Sequence, residues 1–241
     1  MNAQPAPIVN DLRDADESTM ADFYRTVLAP NFRPDELISE QELIGGVRKG
    51  ATRALAACRA DGTILGGAVG DWFERSRVVL LSYIAVRPGL RGQGIGSTLL
   101  TQAVHAWTAE FKPLLIVGEV EDPRYHHDVE FGDAPARVRL YERFGARALP
   151  LPYAQPALRR NGRRVPHLML MVFAGAASAY LSEGHVDGDI VERFLREYFE
   201  ACEGSGSRGD DELAALLAAC RVPGGLPSLR ADEMPTFEPT D

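Results

Sequence analysis

Residues 86–100 of the chain read VRPGLRGQGIGSTLL, and this segment indicates the fold more specifically than any other. A continuously apolar segment at 78–86 runs into it, which predicts a buried strand. Gly92, Gly94 and Gly96 let successive backbone N–H groups turn toward one point. The helix predicted after them adds free N–H groups and the positive end of its dipole. The stretch therefore predicts a strand–loop–helix unit that binds a phosphate or pyrophosphate.

Two common phosphate-binding loops do not fit this pattern. No Gly-Lys-Ser or Gly-Lys-Thr follows the glycines, which excludes a Walker A loop. The segment GQGIG at 92–96 has one residue before its last glycine, where the Rossmann fingerprint needs two. The spacing therefore indicates another class of phosphate loop.

The segment RGQGIG at 91–96, preceded by YIAVRP at 83–88, resembles motif A of the GNAT superfamily of acyl-CoA-dependent N-acetyltransferases. In that family the loop binds the pyrophosphate of acetyl-CoA, mostly through main-chain N–H groups. The resemblance also implies a splay or bulge in the preceding strand, which frees backbone groups for the pantetheine arm and the thioester carbonyl. The cofactor-binding residues that it implies are Ile84, Ala85, Val86, Arg91, Gly92, Gln93, Gly94, Ile95, Gly96 and Ser97.

The composition is that of an ordinary globular protein. The chain has 241 residues, of which 45% are hydrophobic and 25% charged, and its formal net charge of −8 argues against general nucleic-acid binding. The three cysteines lack metal-ligand spacing, and the polar segment at 10–17 is neither a secretory signal nor a transit peptide. The apolar run at 168–181 is too short to span a bilayer. We therefore expect a cytoplasmic protein with no membrane or nucleic-acid partner.

The remaining hydrophobic patterns predict an α/β (α+β) fold with a mixed central sheet of about six to seven strands flanked by helices, as the resemblance also implies. Strands are expected at 8–12, 53–59, 64–71, 78–86, 114–121, 146–151 and 165–173, with a hairpin turn at 60–63. Helices are expected at 17–28, at 36–47, from the glycine loop to residue 111, and at 136–144.

We expect a GNAT-like acetyltransferase domain over 1–174 and a C-terminal helical extension over 175–241. A helix capped by Asp187 or Asp189 and a second helix at 211–220 are predicted in the extension, and residues 222–241 are expected to lack regular structure. The extension is a candidate to cover the core, to form a dimer interface or to contact a partner. A homodimer is a common outcome in the family that the chain resembles.

Tyr141 is the candidate general acid. It lies in the segment LYERFGA at 140–146, which resembles a family motif, Leu-Tyr-x-x-x-Gly-Phe, whose tyrosine faces the cofactor sulfur. A phenol with a reference pKa of about 10 keeps its proton at neutral pH and can donate it to a leaving thiolate. The asparagine that the family has shortly before this helix is absent here, where the chain reads DAP at 133–135.

Glu119 and Glu121 are the candidate general bases. They lie two residues apart near the end of the strand expected at 114–121, so strand alternation places them on one face. Either carboxylate is suited to accept the proton of an amine or to bind an ammonium group. Glu119 is the first choice because it lies deeper in the strand.

Two adjacent histidines, His126 and His127, follow in a polar segment at 122–133. Histidine titrates near neutral pH, but no pair of potential ligands in this segment has a helical or hairpin spacing that requires a metal. We therefore predict no metal site.

The predicted activity is transfer of an acetyl group from acetyl-CoA to a primary amine by direct attack in a ternary complex. No cysteine lies in the loop or in the tyrosine motif to form an acetyl-enzyme. The acceptor is expected to be a small-molecule amine or a protein amino group. The alternatives are an acyl-CoA-binding regulatory or interaction module with little catalytic activity, and an enzyme that uses another donor such as succinyl- or malonyl-CoA.

Overall fold

A computed structural model describes residues 6–34, 36–126, 133–159, 162–204 and 210–237. The chain divides into two compact units, Met1–Asp71 with Leu81–Trp107 and Trp72–Leu80 with Thr108–Asp241. The domain boundary expected after residue 174 stays a prediction.

The first unit contains four strands, the first three of which pair antiparallel, and the helices that cover them. Its elements are β1 (Ile8–Asp11), α1 (Glu17–Phe23), α2 (Glu40–Lys49), β2 (Thr52–Cys58) and most of β3 (Ile64–Phe73), β4 (Val78–Val86) and α3 (Ile95–Phe111). β1 pairs with β2 and β2 with β3, both antiparallel, so the predicted hairpin is confirmed. A π-helical turn, Tyr24–Leu28, continues α1.

Local sequence explains where the first two helices lie. The Asp16 side chain accepts a hydrogen bond from the Thr19 N–H and caps α1. Ser39 and Glu42 form a reciprocal capping box, so α2 begins at Glu40 and the helix expected from residue 36 starts later than predicted. A Cβ on Gly67 of β3 would overlap the ring of Phe23, so glycine is what permits this close approach of α1 to the sheet.

The second unit has its own core. Its further elements are β5 (Leu115–Glu121), α4 (Ala134–Phe144), β6 (Arg147–Ala148), β7 (Leu168–Gly175), β8 (Tyr180–Ser182), β9 (His185–Val186), α5 (Gly188–Glu203), α6 (Asp211–Ala219) and β10 (Leu226–Pro227). Side chains of α5 and α6 pack in one buried cluster with side chains of β5 and β7, and Phe194 and Leu195 of α5 are 1% and 0% exposed. Asp187 caps α5, as one of the two alternatives predicted.

Seven strands form one sheet in the order β1-β2-β3-β4-β5-β7-β6, and helices flank it. This confirms the predicted mixed sheet and its number of strands. No helix in the described ranges combines the length and the apolar character that crossing a membrane requires.

Three expectations for the C-terminal half are wrong. The strand expected at 146–151 is only two residues long, and that expected at 165–173 begins at Leu168. The segment 222–237, expected to lack regular structure, contains β10, which pairs with β9 in a small three-stranded sheet, and Leu226 is fully buried. The prolines suggested irregular structure, yet the apolar side chains of Leu226 and Met234 in this segment are buried.

Candidate active site

The glycine loop leads directly into α3 in the first unit. Gly92 and Gly94 both have a φ of +81°, a left-handed conformation that L side chains rarely adopt. The Gly94 carbonyl accepts the first helical hydrogen bond, from the Thr98 N–H at 3.0 Å. The N–H groups of residues 95–97 make no hydrogen bond to any residue that the structure describes, as expected for the first turn of a helix. These N–H groups and the helix dipole together suit an anion.

Arg91, at the start of the loop, is held by a residue that sequence reasoning missed. Its Nη2 donates to the Oδ1 of Asn31 at 2.7 Å. The Asn31 amide nitrogen donates to the carbonyls of Val27, at 2.7 Å, and of Val86, at 3.3 Å. Asn31 is 5% exposed, whereas Arg91 is exposed. One buried amide therefore joins the end of the first helix, the end of β4 and the loop.

The side chains of β4 do not alternate regularly near its middle. Ser82 donates to one oxygen of Asp71 and Thr52 donates to the other, both at 2.5 Å. Thr52 faces α2, because a Cβ on Gly46 would overlap its hydroxyl. Tyr83 belongs to the buried cluster formed with α1 and α2, so it lies on the same face as its neighbour Ser82. Two consecutive side chains on one face indicate a local irregularity in β4, such as a bulge.

Asp71 is a second polar residue that sequence reasoning missed. Burial raises the pKa of its carboxyl group, and the hydrogen bonds from Ser82 and Thr52 oppose this shift. The carboxyl group fixes the three strands β2, β3 and β4 to one another at the irregular part of β4. We assign it a structural role.

The last residues of β4 differ in the direction of their backbone groups. The Ala85 carbonyl oxygen lies 2.7 Å from the position of a Cβ on Gly66, so it faces β3. The Arg87 N–H donates to the Leu65 carbonyl of β3 at 2.8 Å. Because backbone groups alternate along a strand, those of Val86 point to the opposite edge of β4.

Tyr141 lies on α4 in the second unit, with its ring in the core. It is 3% exposed and packs edge-to-face on Phe173 of β7, with 4.8 Å between ring centroids. Burial raises the pKa of the Tyr141 phenol, an effect that the nearby Arg137 partly offsets. No described residue accepts a hydrogen bond from the Tyr141 hydroxyl. The phenol therefore keeps its proton over a wide pH range.

Glu119 projects from β5 into a cluster of hydrogen-bond donors in the second unit. One carboxylate oxygen accepts from the Tyr153 hydroxyl at 2.5 Å. The other accepts from the Gln155 amide at 2.7 Å and from the Tyr198 hydroxyl of α5 at 3.4 Å. Burial, followed by the charge of Glu119, raises the pKa of Tyr153 well above its usual value, so this phenol remains a donor. The contacts fix the orientation of the carboxylate.

Glu121 lies on the same strand but in a different environment. Its Oε2 lies 3.2 Å from Nη1 of Arg137 on α4, and its Oε1 lies 3.9 Å from Nδ1 of His126. Glu121 is therefore paired with a cation, whereas Glu119 accepts hydrogen bonds from neutral donors. The predicted His127 falls outside the described residues.

Metal ligands do not cluster in the described ranges. No group of three or more His, Cys, Asp or Glu side chains there has the arrangement of a metal site. The three cysteines form no disulfide bond within the described part of the chain.

Comparison with known proteins agrees with these features. Residues 52–145 match the family model of the acetyltransferase (GNAT) domain, a segment that includes β4, the loop and Tyr141. A search of curated proteins finds no significant match.

Solved structures share the fold at low sequence identity. A GNAT-family protein from Bacteroides thetaiotaomicron is 20% identical, with a TM-score of 0.56, over 80% of this chain and 98% of that one. A mutant of the spermidine N-acetyltransferase from Vibrio cholerae is 18% identical, with a TM-score of 0.50, over 68% of this chain and 91% of that one. Residues 52–145 of the chain thus match the GNAT acetyltransferase domain, and the chain shares its fold with solved structures of that family.

Proposed function

We propose that this chain transfers the acetyl group of acetyl-CoA to a primary amine by direct attack in a ternary complex. The observation that carries the proposal is the strand–loop–helix unit, with two left-handed glycines before the unbonded N–H groups of α3. Such a loop fits a pyrophosphate. The proposed cofactor-binding residues of the loop are Arg91, Gly92, Gln93, Gly94, Ile95, Gly96 and Ser97.

The end of β4 is the proposed binding segment for the pantetheine arm. The Ala85 carbonyl points toward β3. Because backbone groups alternate along a strand, those of Ile84 and Val86 point away from β3 and are the ones that we assign to contacts with the pantetheine arm. The Val86 carbonyl already accepts from Asn31, so its N–H is the group that we assign to the cofactor. A fixed main-chain donor of this kind stabilises the oxyanion that develops on the thioester carbonyl.

The proton transfers are assigned to Glu119 and Tyr141. The amine nitrogen attacks the thioester carbon, the C–N bond forms, and the C–S bond breaks. Glu119 accepts the proton that the nitrogen loses, directly or through a water molecule, and Tyr141 donates a proton to the departing sulfur. Tyr141 suits this task because its pKa is raised by burial and its hydroxyl has no acceptor among the described residues.

The first test is release of free thiol from acetyl-CoA by the full chain, measured against a panel of primary amines. The panel includes polyamines, amino acids, aminoglycosides and peptides with a free N-terminus, and mass spectrometry identifies the acetylated product. Tertiary amines of similar charge are the control, because they cannot form a stable amide. Binding of acetyl-CoA without turnover on any amine would favour the regulatory module, and absence of binding would refute the proposal.

Replacement of Glu119 by glutamine is expected to lower kcat about 100-fold, which is typical for loss of a general base. Glutamine keeps the size of the side chain, so acetyl-CoA affinity is expected to be unchanged. Glu121→Gln, measured in parallel, is expected to lower kcat less than Glu119→Gln does, because Glu121 is engaged with Arg137. A larger fall in kcat for Glu121→Gln than for Glu119→Gln would identify Glu121 as the general base.

Replacement of Gly94 by alanine is expected to raise the Kd for acetyl-CoA about tenfold, a change of about 1.4 kcal/mol. A Cβ at Gly94 has open space but its φ of +81° disfavours alanine, so the loop must shift. Gly62→Ala is the matched control, because Gly62 has a φ of +88° and equally open space in a hairpin turn. If the two variants bind acetyl-CoA equally well in a calorimetric titration, the loop is not the cofactor site.

A further inference from the structure

We propose that Asn31 is a positioning residue for the cofactor loop and acts through Arg91. The inference rests on the proposed function, since it assumes that the loop binds acetyl-CoA. It concerns a residue 60 positions before Arg91 in sequence, in the connection between α1 and α2. All the contacts that carry it lie within the first unit.

The chemistry of the three contacts requires an amide at this position. The Arg91 guanidinium can only donate, and the Val27 and Val86 carbonyls can only accept. The partners therefore fix which end of the Asn31 amide is oxygen and which is nitrogen. Aspartate would lose both donated hydrogen bonds, and alanine would lose all three contacts.

Asn31 is anchored to a buried, hydrogen-bonded turn. The π-helical turn before it is closed by a hydrogen bond from the Ala29 N–H to the Tyr24 carbonyl at 2.9 Å. Val27 and Leu28 in this turn are fully buried. The contact with Asn31 also satisfies the Val27 carbonyl, which a helix end would otherwise leave without a partner. Asn31 is thus fixed to the core of the first unit rather than to the surface.

Arg91, in contrast, is an exposed loop side chain with many rotamers. A guanidinium has five N–H donors, so the single contact with Asn31 leaves others free for a phosphate. Fixing an arginine before the ligand arrives reduces the conformational entropy lost on binding. We therefore assign to Asn31 the orientation of Arg91 toward the pyrophosphate.

A double-mutant cycle tests this coupling, with calorimetric titration of acetyl-CoA into wild-type chain, Asn31→Ala, Arg91→Ala and the double variant. Each single variant is expected to bind acetyl-CoA about tenfold more weakly. The double variant is expected to bind no more weakly than Arg91→Ala, because Asn31 acts through Arg91. Additive losses, or unchanged affinity of Asn31→Ala, would overturn the proposal.

Three further measurements separate positioning from structural damage. Thermal unfolding reports the stability of each variant, and kcat at saturating acetyl-CoA is expected to stay near the wild-type value while KM for acetyl-CoA rises. Arg13→Ala, which removes an exposed arginine paired with Asp11 in the same unit, is expected to change neither constant. A fall in kcat together with a lower melting temperature would indicate a structural role instead.

Asn31→Asp keeps the cycle informative if the alanine variant does not fold. Aspartate retains the size of the side chain and an acceptor for Arg91, but it adds a negative charge near an anionic ligand. Its loss of affinity is expected to be smaller when Arg91 is present than in the Arg91→Ala background, and equal losses would overturn the coupling. If the wild-type chain itself does not bind acetyl-CoA, the proposed function fails, and the inference fails with it.

Discussion

Tyr141→Phe is expected to lower kcat by about 100-fold or more, the usual contribution of a general acid, and to leave acetyl-CoA affinity within about twofold. Phenylalanine keeps the ring that packs on Phe173, so the core of the second unit is preserved. Only the hydroxyl is lost, and with it the proton for the leaving sulfur.

The pH dependence of kcat provides an independent check on Tyr141. Burial raises the pKa of this phenol above its ordinary value, so the group stays protonated as the pH rises toward about 10. We therefore expect no decline of kcat from deprotonation of Tyr141 below that pH. A basic limb near neutral pH that disappears in Tyr141→Phe would contradict this assignment.

Tyr180→Phe is the matched control for the tyrosine variant. Tyr180 is a partly buried phenol of the second unit whose pKa burial also raises, but it lies in β8, outside the proposed site. It is expected to retain wild-type kcat. If Tyr141→Phe and Tyr180→Phe have similar rates in the thiol-release assay, Tyr141 is not the general acid.

The elements that local patterns specify could be predicted from the sequence. The apolar run at 78–86, the glycines and the periodic helix after them predicted β4 and α3 at their observed places, because each signal lies within a few residues of the structure that it determines. The start of α2 was missed by a few residues, although Ser39 and Glu42 carry a capping-box pattern that indicates it.

Polar contacts between distant residues could not be predicted. Glu119 contacts Tyr153, Gln155 and Tyr198, which are 34, 36 and 79 positions away, and no local pattern links them. Asn31 resembles any polar residue in a helix connection until the fold brings Arg91 to it. The roles proposed for Glu119 and Asn31 therefore depend on the tertiary structure. The roles proposed for Tyr141 and the glycine loop rest on sequence motifs as well.

The second large expected effect is a loss of stability when the ion pairs of Arg164 with the C-terminal helices are removed. Arg164 donates to Glu203 of α5 at 2.6 Å, to Asp210, the cap of α6, at 2.5 Å, and to Glu212 at 2.8 Å. Its guanidinium also lies over the ring of Phe199, 5.0 Å from the centroid. The Arg164 side chain is 14% exposed, so a largely buried guanidinium contacts three carboxylates and offsets part of their charge.

Arg164→Leu is expected to lower the free energy of unfolding by about 3 kcal/mol or more at pH 7, because it leaves partly buried carboxylates without their cation. Urea denaturation measures the change. Arg196→Leu is the control, since Arg196 forms an exposed i,i+4 pair with Glu192, of a kind that contributes at most about 1 kcal/mol. Equal losses in the two variants would show that the Arg164 cluster does not stabilise the second unit.

The sign of the pH dependence follows from the same cluster. Hydrogen bonds from Arg164 are the largest cause of the lowered pKa values of Glu203 and Asp210 in the folded chain. A lowered pKa adds stability above the unfolded values of about 4, and this contribution is lost as the pH falls through the folded values. In Arg164→Leu the contribution is absent, and mutual repulsion favours protonation of the carboxylates. The difference in unfolding free energy between wild type and Arg164→Leu is therefore expected to be largest at neutral pH and to become smaller on acidification. A difference that does not change with pH would instead assign the loss to packing on Phe199.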